Sequence, residues 1–242
     1  MIIGLRALAP SRFIMPPTVS VVIPVLFDAD AASTVLASLA GEPGIEVLVV
    51  DGAADPRLAE VVAAHGGATL VKSGAGRGRQ MNAGASVATG EWVLFLHADS
   101  VLPSGWLAAI GSLGGPVVGG WFRFALDDAA WQARVIERLT RWRVRRLHLP
   151  YGDQGIFVRR SVFTQLGGFR DIPLMEDVEF VRRLVRSGPV VELPLPLATS
   201  AGRWRRDGWL RRSTHNLVLV GLYFAGINIE RLARWYRSAD RG

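Results

Sequence analysis

Apolar residues in the first half of the chain come in short unbroken runs, at 19–25, 46–50, 68–72 and 92–96. They are continuous rather than alternating, which is how strands covered on both faces read. Between them lie segments 31–39, 56–65 and 79–88, rich in alanine and other helix formers and bounded by Gly, Pro or Asp. The rhythm predicts an α/β fold: a Rossmann-like, mostly parallel open sheet with helices on both faces. Ligands of such sheets bind at the carboxyl ends of the strands. Asp51 and Asp99 fall at or just past two of those ends.

The second half is less regular. It reads as a strand over 117–126, an arginine-rich helix over 129–146, a loop over 149–154 and a helix over 176–187. On the 129–146 helix Trp131, Val135, Leu139 and Trp142 recur at helical spacing, with Arg134, Arg138, Arg141, Arg143 and Arg145 filling much of the remainder. Two readings stand: an apolar face packed on the core beneath a solvated arginine face, or a basic amphipathic helix lying on anionic lipid. The apolar run 217–227, followed by Arg231, Arg234 and Arg237, repeats that choice. It is about half of the roughly 20 residues a spanning helix needs, so no transmembrane segment is predicted.

Charge sharpens the division. Residues 1–130 carry 7 Lys+Arg against 11 Asp+Glu, a net −4, and residues 131–242 carry 21 against 10, a net +11. The basic half implies an anionic partner. Nucleic acid is disfavoured, because no recognised module is present and the carboxylates below would go unexplained. At 242 residues and 50% hydrophobic content, one domain over 18–242 is expected, with a ligand-binding half at 18–128 and a basic half at 129–242. Residues 1–17 read as a lead-in without a secretory pattern. With no cysteine there are no disulfides or thiolate sites, which suits the cytoplasm, with peripheral attachment to the inner face of the membrane as the variant.

Several segments can carry chemistry. Asp51 follows a buried run and precedes Gly52, where a carboxylate either accepts from a nucleotide base or ribose or caps its own turn. His97 and Asp99 end another run; a hard divalent cation such as Mg²⁺ or Mn²⁺ wants oxygen ligands with positions left open for phosphate, so Asp99 is the stronger ligand and His97 either ligates or packs beside it. The glycine- and arginine-rich stretch 74–79 opens a helix carrying Arg79 and Asn82, where backbone amides and guanidinium groups can meet a phosphate. It follows the third run rather than the first, which disfavours a dinucleotide cofactor. Glu176 and Asp177 open a helix; the helix dipole favours acids there, and a general base for a hydroxyl is the sharper reading. Tyr151, Asp153 and Gln154 sit in a glycine-bounded loop suited to sugar hydroxyls or to a plain turn. Arg203 beside Trp204 joins a diphosphate-binding group to a sugar-stacking one.

Taken in order, these segments resemble glycosyltransferase family 2, the inverting transferases of the GT-A fold. The likeness runs from about Thr18 to Trp204 through the V-S-V-V-I-P opening that ends near Pro24, the V-V-D-G turn, the Arg79/Asn82/Gly84 helix start, the strand ending at Asp99 and the Glu176-Asp177 pair. F-L-H-A-D, P-Y-G-D-Q-G-I-F, M-E-D-V-E-F and T-S-x-x-R-W further resemble a bacterial subgroup named for arsenosugar biosynthesis. The resemblance implies a nucleotide-sugar donor held by Pro24, Asp51, Arg79, Asn82, Asp99 and Arg203, and a small-molecule or lipid-linked acceptor near Tyr151, Asp153, Gln154 and Trp204. It implies a divalent metal at Asp99 with His97, and Asp177 as catalytic base supported by Glu176. His97 stands where many relatives carry an aspartate, and Ala53-Ala54 replace the usual polar residues after D-G. The 200–204 stretch lacks the glutamine of processive relatives, so a single sugar transfer is expected. Nucleotidyl transfer on a similar sheet and a non-catalytic nucleotide-sugar-binding or membrane-docking protein are the alternatives.

Overall fold

A computed structural model describes residues 19–240, with side chains through Tyr236; the lead-in at 1–17, Thr18 and the Arg237 side chain lie outside the described residues. The four apolar runs of the first half form parallel strands β1 (Val19–Val25), β2 (Ile45–Asp51), β3 (Ala68–Lys72) and β4 (Trp92–Phe95). Helices α1 (Ala29–Leu39), α2 (Pro56–His65) and α3 (Arg77–Val87) connect them. Asp28 caps α1 and Asp55 caps α2 by accepting backbone amides, and Pro56 opens α2 where no N–H is needed.

The remaining strands are β5 (Ser100–Val101), β6 (Gly119–Leu126), β7 (Ile156–Arg159) and β8 (Val190–Thr199). They complete an eight-stranded sheet of order β3-β2-β1-β4-β7-β6-β8-β5. β7 runs antiparallel to both β4 and β6, β5 antiparallel to β8, and β6 parallel to β8. β8 gave no strand signal because Pro194 and Pro196 interrupt it. The ladder with β6 slips between Phe122 and Arg123, so that Leu193 and Pro196 face consecutive residues and the intervening pair is bulged out.

Alternate residues of β1 feed two cores. Val19, Val21 and Ile23 pack with Leu36 of α1, Leu58 of α2 and Trp106 of α4 (Trp106–Gly111). Val22 packs on the other face with Met81 of α3, Phe163 of α6 (Arg160–Gln165) and Phe180 and Leu184 of α7 (Glu176–Ser187). Gly84 lets α3 lie close on the sheet, since a Cβ there would come within 2.4 Å of Val22 Cγ1. A third, smaller cluster joins Phe124 and Leu126 to Ala133 of α5 (Trp131–Leu147) and Trp204 of α8 (Gly202–Asp207). The chain ends in α9 (Trp209–Phe224) and α10 (Ile229–Asp240).

The α5 helix forms where the pattern predicts it, but its apolar stripe does not pack on the core. Trp131, Leu139 and Trp142 are 71%, 62% and 59% exposed, whereas Ala133, Glu137, Thr140 and Val144 are buried. The inward face is anchored by Glu137, which accepts the Leu126 amide at 2.8 Å and pairs with Arg134. On α9 too, Leu210, Leu217 and Phe224 stay exposed.

Candidate active site

The sheet's carboxyl edge sets out the site. Leu96 still donates to Val22 O (3.0 Å), after which His97-Ala98-Asp99 forms a turn closed by Ser100 N donating to His97 O at 3.1 Å. This turn projects His97 and Asp99 into a cavity of about 140 Å³, whose wall also includes Arg77, Tyr151, Asp153, Glu176 and Asp177. Arg203, Trp204, Arg212 and Tyr236 also line it, from α8, α9 and α10.

Asp177 sits in the first turn of α7. Its Oδ1 accepts the Val178 amide at 2.7 Å and its Oδ2 accepts the Gly152 amide at 2.7 Å, which fixes the carboxylate against the 151–155 loop. Gly152 is required there: a Cβ would lie 2.9 Å from His97 Nε2 and 3.3 Å from Asp177 Oδ2. The helix is entered through Met175, whose φ of 62° is the left-handed conformation that side chains disfavour. Such strain is held only where surrounding structure imposes it.

Glu176 is buried and meets Arg77 at 3.5 Å. Burial, reinforced by the adjacent Asp177, pushes its carboxyl up, against the pull of Arg77. Burial works against the charge on Arg77, but Glu176 and Asp177 outweigh it and hold the guanidinium firmly charged. Burial, with the positive fields of Arg77 and Arg203, drives the His97 imidazole well below its ordinary range, so it is neutral at pH 7. The Asp153 carboxyl is raised to about 6, first by burial and then by Asp177 and Asp99, while Arg143 and Arg203 oppose the shift. Arg143 also stacks over the Tyr151 ring at 3.5 Å and donates to Leu149 O at 3.0 Å.

Three buried side-chain atoms around this cavity have no hydrogen-bond or ion-pair partner, His97 Nε2, Asp99 Oδ1 and Asp153 Oδ1, while Glu176 Oε1 has the Arg77 ion pair alone. Buried polar atoms are rarely left unmatched, so they mark where a polar ligand belongs. A neutral imidazole nitrogen and a carboxylate oxygen two residues apart suit a divalent cation that takes its other ligands from a phosphate-bearing substrate. No cluster of three or more acidic, His or Cys side chains forms a self-sufficient metal cage among the described residues.

Other sequence-derived candidates are spent elsewhere. Asp51 is buried, with Oδ1 accepting Ala53 N (2.8 Å) and Oδ2 accepting Asp55 N (2.9 Å), so it braces the turn after β2. Pro24 pairs with Val50 inside the β1–β2 ladder. Arg79 donates to Asp171 at 2.7 Å on the surface. Asn82 clamps Phe169 from both sides, donating to its carbonyl and accepting its amide, each at 2.8 Å. Gln154 is wholly buried, donating to Phe122 O and accepting from Tyr151 N. None of these five lines the cavity; His97, Asp99, Tyr151, Asp153, Glu176, Asp177, Arg203 and Trp204 do. Arg77, which the sequence offers only as part of the 74–79 stretch, also lines the cavity, as do Arg212 and Tyr236, which carry no local signal and are joined by a 2.8 Å hydrogen bond.

An open sheet with nucleotide-type topology and an acid-lined cleft beyond its carboxyl edge is the GT-A arrangement. The Glycosyl transferase family 2 model matches residues 20–166, more than half of the chain, which therefore belongs to that family. Among solved structures, mannosyltransferase PcManGT from Pyrobaculum calidifontis, in complex with GDP-Man and Mn²⁺, superposes with a TM-score of 0.56 at 19% identity, over 76% of this chain and 57% of that one. S. aureus TarS 1–349 in complex with UDP-GlcNAc gives 0.56 at 18%, over 77% and 58%. Glucosyl-3-phosphoglycerate synthase from Mycobacterium tuberculosis, with Mn²⁺, UDP and glucosyl-3-phosphoglycerate, gives 0.52 at 19%, over 76% and 72%. The chain thus spans less than two thirds of the first two, and likeness at such identity speaks to the fold. No curated protein sequence matches the chain.

Proposed function

We propose that this chain transfers one sugar from a nucleotide-sugar donor to an acceptor hydroxyl with inversion at the anomeric carbon. The observation that carries the reading is Asp177, a fixed carboxylate at a helix start facing the same cavity as the unpartnered Asp99 Oδ1 and His97 Nε2. Asp177 takes the proton of the acceptor hydroxyl as its oxygen attacks the anomeric carbon. The bond from that carbon to the diphosphate breaks as the new one forms, and the nucleoside diphosphate leaves with the electron pair. Arg77 and Arg203 meet its growing negative charge. Glu176 holds Arg77 in place, while Trp204 and Tyr151 offer flat apolar faces to sugar rings. Asp99 and His97 are the residues that would hold a divalent cation, Mg²⁺ or Mn²⁺, which when bound supplies further positive charge at the diphosphate. The Mn²⁺, GDP-Man and UDP of the structural neighbours support that donor class.

A donor is first selected by thermal shift across a panel of nucleotide sugars with and without Mn²⁺. Asp177→Asn is then expected to lower turnover by roughly 10²- to 10⁴-fold while nucleoside diphosphate binding is retained. Normal turnover in that variant removes the base assignment; release of pyrophosphate instead of nucleoside diphosphate assigns nucleotidyl transfer.

The exposed stripe of α5 favours, in addition, peripheral attachment to an anionic membrane, with Trp131 and Leu139 in the interface and the arginines between them meeting lipid phosphates. Among the described residues no helix is long and apolar enough to cross a membrane. Sedimentation with phosphatidylglycerol vesicles at low ionic strength, reversed by high salt, is the expected outcome. Absence of the protein from the vesicle pellet at low salt refutes attachment.

A further inference from the structure

Beside the catalytic cavity lies a second, larger one of about 820 Å³, within the roughly 300–1,000 Å³ range of ligand pockets. Leu139, Trp142 and Leu147 of α5 form one wall, and Leu217, Val220 and Phe224 of α9 the other. Phe124 and Trp204 lie between them. Its rim is open to solvent, with Leu139 62% and Leu217 72% exposed. Its arginines are already engaged: Arg143 on the Tyr151 ring and Leu149 O, Arg182 over the Phe224 ring at 5.4 Å. The space therefore suits hydrocarbon rather than an anion.

Its position fixes which hydrocarbon. Tyr151, Asp153, Trp204, Asn216 and Val220 line both cavities, so the apolar one adjoins the one that holds Asp177 along a shared wall. A chain lying between α5 and α9 lies next to that wall, beside the cavity of the carboxylates. We propose that this cavity holds the hydrocarbon chain of an amphiphilic acceptor whose hydroxyl-bearing head reaches Asp177. The proposal rests on the reading of Asp177 as the acceptor's base. It selects, from the acceptors open to such a site, those carrying a long apolar tail, and it explains why the apolar residues of α5 and α9 face away from the cores.

The test is binding of primary 1-alkanols, from 1-hexanol to 1-dodecanol, measured by calorimetry on the full chain, with UDP and GDP binding and nucleotide-sugar hydrolysis followed in parallel. Affinity should rise about 4-fold per added methylene, the equivalent of ~0.8 kcal/mol, until the cavity is filled. Leu139→Glu and Leu217→Glu alter exposed positions and should each weaken 1-decanol at least 10-fold, with the unfolding midpoint and nucleotide affinity unchanged. Should either variant fold poorly, the chain-length series on the unaltered protein still decides. No binding, affinity independent of length, or affinity untouched by both substitutions overturns the proposal. So does a chain that sediments as a dimer and becomes monomeric in Leu217→Glu, which would assign the face to a second copy. Alkanol binding as described without consumption of any nucleotide sugar upholds the cavity and fells the transfer reading; hydrolysis of a nucleotide sugar without alkanol binding does the reverse.

Discussion

Helices α5 and α7 are both amphipathic and flank the same site, yet they face opposite ways. Val178, Phe180, Val181 and Leu184 of α7 are completely buried against the sheet, and its acidic first turn delivers Glu176 and Asp177 to the cavity. On α5 the largest apolar side chains look outward, and the face turned to the protein is built from Ala133, Glu137, Thr140 and Val144. Hydrophobic periodicity defines two faces of a helix but not which of them turns inward. For α5 the choice is made by one polar contact, Glu137 to the Leu126 amide at the end of β6, together with small residues that let the helix come close. α7 is thus held by its apolar side, and α5 leaves its apolar side available.

The largest way to break this contrast is to remove the same side chain from each helix. Leu184→Ala on α7 opens a cavity in a filled core and should cost about 2–5 kcal/mol of stability. Leu139→Ala on α5 removes a side chain already in solvent and should stay within about 0.5 kcal/mol. Urea unfolding of the two variants checks both. Equal losses would mean that the α5 stripe is covered in the folded protein.

The same distinction between spent and unspent groups describes what could be read from the sequence. The parallel half was legible because each strand is an unbroken apolar run, and four of those runs became β1 to β4. β7 is only four residues long and β8 carries two prolines, so neither announces itself; both depend on pairing partners far away in the chain. Asp99 and Asp177, which line the cavity, stand out in the sequence by their motifs. Asp51 and Asn82 share those motifs, but their polar atoms go to backbone partners, and a sequence does not show where a hydrogen bond goes. Arg77 rather than Arg79 lines the cavity for a geometric reason: two residues on a helix point about 200° apart, so only one of the pair can face it. Tyr236 reaches the site through the packing of α10 on α9, which no local pattern encodes.

Asp153 sharpens the contrast further, because it lies between the two helices. Arg143 from α5 pulls it toward the ionised form, while burial and Asp177 from α7 push it toward the neutral one, and the balance raises its carboxyl to about 6 against an ordinary 3.8. A carboxyl raised by folding favours the folded state while it is protonated. Its contribution is complete below about pH 4 and is lost as pH climbs to about 6. Asp153→Asn cannot ionise, so its stability relative to the unaltered protein should be near zero difference at about pH 4, grow through the window and level off above about pH 6. A shift of this size is worth about 2 kcal/mol at most, since the side chain is only partly buried. Thermal unfolding of both proteins across that range reads the difference directly. A difference that stays flat with pH would mean that Arg143 prevails and that Asp153 is ionised throughout; the α5 side of the site would then set its charge.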